Sequence, residues 1–272
     1  ALFIPPLAAN PTPVSWSLAG TWRVQDANDG TPPTASGWRG LKVPANWYSA
    51  GYDRQGALWY KHAFTLPLQP PDVMSTLVFD GVDYLADVTL NGQPLGKHEG
   101  YFQRFSLDAS AALQRHNQLV VRVDSPYEDP HKVWPLHKTV MKGILNQHDT
   151  RPGGAWSPEG QDANSGGIWA PVRLHLSRGA TLDEIILRPD WSQGLKRPEL
   201  KAEIRYRALG QGPATARLTA TPANFNGKRF QADFPVNLEN GAHSARVTLP
   251  MPAAKLWWPV GTGKPHLYTV RV

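Results

Sequence analysis

The chain has no cysteine and only three methionines among 272 residues. Disulfides, thiolate nucleophiles and Cys-ligated zinc are therefore excluded. It has no apolar run long enough to cross a membrane as a helix. No lysine- or arginine-rich block occurs, although the formal charge is +6. The basic residues alternate with apolar ones, as at Lys201, Arg205 and Arg207. That pattern describes solvated strand faces rather than a nucleic-acid surface. Sustained helical periodicity is absent too, with Asp108–Arg115 as the one short candidate. There is no G-x-S-x-G elbow and no phosphate-binding glycine loop. His131, His137 and His148 beside Asp149 match no standard zinc spacing. No cofactor and no metal site is expected.

What the chain does contain is turn formers and tryptophan. It has 26 Pro, 24 Gly and 11 Trp, spread along its length. Many short strands joined by turns suit that distribution, and the expected fold class is all-β. The most informative stretch is FDGVDYLADVTLNGQPLGKHEGYF at 79–102, followed by NQLVVRVD at 117–124. Ala86, Val88 and Leu90 alternate with Asp87 and Thr89, the period of a half-buried strand. Asn91-Gly92 supplies the two positive-φ positions of a type I′ hairpin. Leu119, Val121 and Val123 repeat the alternation on a second strand.

Other phrases extend this pattern. Ser17–Val24 reads SLAGTWRV, Val43–Trp47 reads VPANW, and Trp59–Phe64 reads WYKHAF. Tyr127–Gly167 is a long irregular segment with aromatic, Gly, His and acidic residues; Gly167–Leu174, GIWAPVRL, then returns to strand. A loop of that length inside a domain is functional or disordered, and its aromatic content argues against disorder. Beyond Ser177–Thr181 the composition changes, and a second series of alternating strands begins, with Ala202, Ile204 and Tyr206 on one face. Leu256–Pro259, LWWP, and Pro265–Tyr268, PHLY, close the chain.

In order and spacing, these phrases resemble the N-terminal region of glycoside hydrolase family 2, the family of β-galactosidases, β-glucuronidases and β-mannosidases. The resemblance covers nearly the whole chain. It implies a galactose-binding-like jelly-roll β-sandwich at 1–179, then an immunoglobulin-like β-sandwich at 180–272 that is cut near its C-terminal end. It also implies a (β/α)₈ barrel of the same polypeptide as partner and the terminal β-linked sugar of a glycoside as ligand, with neither nucleic acid nor membrane involved. Retaining glycosidases need two carboxylates about 5–5.5 Å apart. In this family both are barrel glutamates, one in an Asn-Glu dipeptide, and this chain contains no Asn-Glu. No catalytic residue is therefore expected within it.

The resemblance also suggests sugar contacts. The Asn of the V-P-x-N-W turn reaches the active site in β-galactosidases of the family, and here it is Asn46. An Asp just before the "G-I-W" strand does likewise, and the nearest match is Asp162, about one residue out of register. Trp156 either stacks on sugar or packs its loop. Glu159 is three residues from Asp162 in a Gly-flanked loop, and such acids usually hold turns or stay solvated. For Asn46 the alternative to sugar contact is an Asx-turn holding the backbone at Pro44. The W-D-W-G-P loop of β-mannosidases is replaced here by Trp156-Ser157-Pro158-Glu159-Gly160, which leans the reading toward galactosidase- or glucuronidase-like members. The competing function is a free-standing carbohydrate-binding module. A cysteine-free chain is comfortable in a periplasmic or secreted setting, where any signal peptide would already be gone, and the cytoplasm is not excluded.

Overall fold

The computed structural model describes residues 2–3, 13–27, 33, 35–52, 56–67, 69, 72–127, 140–145, 150–151 and 165–272. Two units divide the chain, residues 1–177 and 178–272. Among the described residues there is no helix.

The first unit holds β1 (Leu2–Phe3), β2 (Val14–Ser17), β3 (Gly20–Asp26), β4 (Arg39–Val43), β5 (Gly56–Thr65), β6 (Val73–Phe79), β7 (Leu85–Leu90), β8 (Gln93–Glu99), β9 (Phe105–Asp108), β10 (His116–Ser125), β11 (Ile144–Leu145), β12 (Thr150–Arg151) and β13 (Val172–Arg178). A larger sheet runs β4-β3-β5-β10-β7-β8, with β1 added in parallel to β5. A smaller one runs β2-β13-β6-β9. The alternation read in the sequence decides which face is inside. Ala86, Val88, Leu90, Leu119, Val121 and Val123 on the larger sheet meet Val172, Leu174, Leu176 and Leu77 of the smaller one in a single core. Trp22, Trp47, Tyr60, Phe64 and Phe79 are fully buried there. β6 is buried at every residue, so its run VMSTLVF carries no period-2 signal. This is a jelly-roll sandwich, as expected.

The hairpin at Asn91-Gly92 forms as read, with φ of 52° and 80°. Asn91 does more than turn the chain. Its Oδ1 accepts from Gln118 N at 2.8 Å, and its Nδ2 donates to Ala112 O at 2.8 Å and Asn117 Oδ1 at 2.9 Å. The hairpin is thereby fastened to the start of β10. The short helical candidate at Asp108–Arg115 is a single turn instead. Asp108 Oδ1 accepts from Ser110 N at 2.9 Å, and Leu113 N reaches Ala109 O at 3.0 Å, after which β10 begins. One turn cannot offset the cost of helix nucleation, so nothing propagates. The long segment 127–167 is not structureless throughout. β11 and β12 pair within it, Ile144 opposite Arg151.

The second unit holds β14 (Ala180–Asp190), β15 (Glu199–Ala208), β16 (Gly212–Pro222), β17 (Phe230–Leu238), β18 (Gly241–Pro250) and β19 (Tyr268–Arg271). They form two three-stranded sheets, β14-β15-β18 and β17-β16-β19. Ala202, Ile204, Tyr206, Leu218, Val247 and Leu249 fill the space between. The alternating basic residues are indeed on solvated faces, in cross-strand ion pairs: Arg205 with Glu184 at 2.7 Å, Arg207 with Asp183 at 3.0 Å, and Lys201 with Asp190. The LWWP phrase turns back on PHLY, with Trp257 bridged to Pro265 and Tyr268 Oη accepting from Lys255 N at 3.0 Å.

Candidate sugar-contact end of the first unit

Several connections converge at one end of the jelly roll: 44–52 after β4, 80–84 after β6, 100–104 after β8, and 165–171 before β13. The VPANW turn and the GGIW phrase are joined directly. Ala45 N donates to Ile168 O at 3.0 Å, and Trp47 N to Gly166 O at 2.9 Å. The two glycines of GGIW are needed for the approach. A Cβ on Gly166 would lie 2.0 Å from the Trp47 indole. One on Gly167, where φ is +101°, would lie 2.5 Å from Tyr60 Oη. Only a glycine pair lets the main chain pass this close to two buried aromatic rings.

Asn46 sits on this joint and is partly exposed. Its Oδ1 accepts from Tyr48 N at 3.0 Å, and its carbonyl accepts from Ala50 N at 3.1 Å. Asn46 is thus the cap of the turn at Trp47–Gly51, satisfying a backbone donor that would otherwise be orphaned. An Asx-turn forms as expected, but forward to Tyr48 and not at Pro44. Its Nδ2 donates to none of the described residues. The other candidates, Asp162, Trp156 and Glu159, lie outside the described residues, as do His131, His137, His148 and Asp149.

Beneath the joint is a polar cluster that no sequence pattern announced. Asp83 and Lys142 are each about 1% exposed, with Lys142 Nζ 3.8 Å from Asp83 Oδ1. Ser165 Oγ donates to Asp83 Oδ2 at 2.7 Å, and Ser125 Oγ lies 3.1 Å from Asp83 Oδ1. Lys142 Nζ also donates to Ser125 Oγ and, at 3.3 Å, to Ser165 O. The Asp83 backbone exchanges two hydrogen bonds with Gly167, at 2.9 and 3.1 Å. Burial pushes the Asp83 carboxyl above its ordinary range, while Lys142 and the two serines pull it back. The cluster ties the connections at 80–84 and 165–171 to the end of β10 and to Lys142, and is closed to solvent.

Aromatic rings cover the cluster. Tyr101 of the HEGYF phrase stacks on Trp169 of GGIW, with centroids 4.8 Å apart and planes 15° from parallel. Gly81 allows this, since a Cβ there would lie 2.5 Å from the Trp169 ring. Burial raises the Tyr101 hydroxyl to about 12, and the Asp83 charge adds to the effect. Trp169 remains partly exposed and Phe102 is 49% exposed. This end therefore presents flat apolar rings and an amide on a rigid base. Such a surface can hold sugar hydroxyls and C–H faces. It offers no exposed pair of carboxylates among the described residues. Nor do those residues include a group of three or more His, Asp or Glu suited to a metal ion.

Comparison with known proteins agrees with this architecture in both units. The family described as "Glycosyl hydrolase 2 galactose-binding domain-like" matches residues 45–169, and "Glycosyl hydrolases family 2" matches residues 180–272. The chain belongs to glycoside hydrolase family 2. Rat β-mannosidase is 23% identical over 98% of this chain and 33% of its own length. β-Mannosidase B of Aspergillus fumigatus is 25% identical over 82% of this chain and 27% of its own. The chain thus spans about a third or less of these curated relatives. Among solved structures, Bacteroides uniformis β-glucuronidase superposes with a TM-score of 0.68 at 19% identity, covering 95% of this chain and 30% of that one. β-D-Glucuronidase of Dictyoglomus thermophilum gives 0.60 at 18% identity, covering 99% and 42%. These curated relatives are β-mannosidases although the W-D-W-G-P phrase is missing here, so the lean toward galactosidase- or glucuronidase-like members finds no support in sequence likeness.

Proposed function

We propose that this chain is the noncatalytic N-terminal region of a retaining β-glycosidase. It scaffolds a catalytic (β/α)₈ barrel of the same polypeptide and lends sugar contacts to the hydrolysis of terminal β-glycosides. The observation that carries the reading is the tandem match of two family 2 domains in the order found in relatives about three times as long. The geometry of the first unit fits that role. The V-P-A-N-W turn is clamped by two main-chain hydrogen bonds to the GGIW segment, over a buried ionic cluster. A side chain held so firmly can meet a substrate hydroxyl without ordering cost on binding. Asn46, Asp162, Trp156 and Glu159 are the contacts this reading proposes, and an exported setting accompanies it.

The test compares this chain with the longer polypeptide that carries it, using nitrophenyl β-D-galactoside, β-D-glucuronide and β-D-mannoside. The longer protein should hydrolyse at least one of the three, and the chain alone none. Absence of turnover in the longer protein with all three would overturn the glycosidase reading. Hydrolysis by the chain alone would place the chemistry within the two sandwiches.

A further inference from the structure

One end of the second unit differs from the rest of the molecule in both charge and apolar exposure. Register brings Asp190, Glu199 and Pro250 to the same end of one sheet, and Pro222 opposite Tyr268 in the other. The loops that join these strands, 191–198, 223–229 and 251–267, therefore share that end. They are fastened to one another. Met251 N donates to Pro198 O at 2.9 Å, and Ala253 N to Lys196 O at 3.0 Å. Ala223 N donates to Leu267 O at 2.9 Å, while Asn224 grips the last loop from both sides, at Pro265 O and Leu267 N. The Phe225 ring stands edge-on to His266 and Tyr268.

This rigid base holds apolar side chains out in solvent. Trp191, Leu195, Trp257, Trp258, Val260 and Leu267 are each at least 43% exposed, and Val260 is 96% exposed. Loops at a sandwich end are ordinarily polar. The same three loops carry Lys196, Arg197, Lys228, Arg229, Lys255 and Lys264, all exposed, and no Asp or Glu. These six cations equal the formal charge of the whole chain, +6, so every other part balances. Cations on the strands of this unit are paired, as Arg205 is with Glu184 and Arg217 with Asp233. None of the six loop cations forms an ion pair with a described residue.

We propose that this end of the second unit is a docking surface for the part of the same polypeptide that follows Val272, and that the face it meets is apolar at its centre and acidic at its rim. An exposed apolar patch with a charged border marks an interaction site. Tryptophan is the side chain that most often anchors such contacts, and unpaired cations around it select a partner of opposite charge. The occupant follows from length and path. Relatives are about three times as long as this chain, so most of the polypeptide lies beyond it. β19 is the outer strand of its sheet and runs away from these loops. A chain that turns back antiparallel along its free edge arrives at the loop end again. The proposal rests on the part of the proposed function in which a longer polypeptide carries this chain. It does not need that polypeptide to cleave glycosides.

The experiment is hydroxyl-radical footprinting of this chain and of the longer polypeptide, read at the loop side chains. Trp257, Trp258 and Leu267 should be oxidised at least about fivefold more slowly in the longer protein, because a packed interface excludes solvent. Thermal melts of Val260→Asp give a second measure. Val260 is almost wholly exposed, so the variant of this chain should melt within about 1 °C of wild type. The same change in the longer protein should lower melting by about 4 °C or more. Lys196→Glu with Lys264→Glu should also destabilise the longer protein alone. Equal oxidation in the two proteins overturns the proposal, as does Val260→Asp acting equally on both. Protection that fades on dilution reports a second copy and overturns it too. So does protection that appears only when the longer protein floats with phosphatidylglycerol vesicles, which would assign the surface to a membrane. An unaffected charge-reversal variant overturns the acidic rim. Protection in a longer protein that hydrolyses no nitrophenyl glycoside would uphold the docking surface and sink the glycosidase reading alone.

Discussion

Lys142 stands 3.8 Å from the carboxylate of Asp83, with both side chains almost wholly buried. Neither charge has solvent to fall back on. Removing one leaves the other buried without its counter-charge, which typically costs about 3–5 kcal/mol. Asp83→Ala should therefore lower stability by that order in chemical denaturation. Replacing both, as Asp83→Leu with Lys142→Met, should recover a large part of the loss. If the double variant is no more stable than the single, the pair is not coupled as the geometry implies.

The proposed function gives Asn46 a role separable from the one its structure shows. Its oxygen caps the turn at Tyr48, and under the proposed function its amide nitrogen would donate to substrate. Asn46→Asp keeps the acceptor and removes the donor, whereas Asn46→Ala removes both. The alanine variant should lose about 1 kcal/mol of stability, and the aspartate variant should melt close to wild type. In the longer polypeptide both should lower kcat/KM. Equal kinetics for Asn46→Asp and wild type would leave Asn46 with its structural role alone.

How much of this was legible follows from range. The hairpin at Asn91-Gly92 and the strands around Ala86–Leu90 and Leu119–Val123 depend on neighbours in sequence, so alternation and turn chemistry reveal them. The acceptor role of Asn46 was legible for the same reason, since its partner is two residues away. Asp83 was not. It lies in a phrase that reads as a strand lead-in, and its partners Ser125, Lys142 and Ser165 are 42 to 82 residues distant. Lys142 looks like any surface lysine until the fold encloses it. Trp59 was legible as a strand residue, but only cross-strand register shows which residues share its face.

Gly166 and Gly167 should resist substitution for different reasons. At Gly166 the added methyl meets the Trp47 ring at 2.0 Å, a packing clash with a ring that is itself buried. At Gly167 the methyl meets Tyr60 Oη and the φ of +101° adds backbone strain. Overpacking of this kind typically costs about 1–3 kcal/mol. Gly92→Ala, with nothing within 4 Å and only a positive φ of 80°, should cost less than either. Thermal melts of the three alanine variants would rank them, and Gly92→Ala as the most damaging would contradict the close approach.

His62 sets a pH dependence. Its ring is stacked 4.8 Å from Trp22, and burial lowers its pKa from 6.5 to about 4. The unfolded chain takes up a proton as pH falls through about 6.5, while the native state resists until about 4. Between those values the unfolded state binds more protons, so stability falls as pH falls. Below about 4 both states are protonated and this contribution levels off. His98 and His175 are also lowered by burial, so they add slopes of the same sign. His62→Phe keeps the stack and removes the titration. It should flatten the stability profile between pH 6.5 and 4 without abolishing it. An unchanged profile in that variant would mean that His62 is already protonated in the native core, against the burial seen between Trp22 and Phe64.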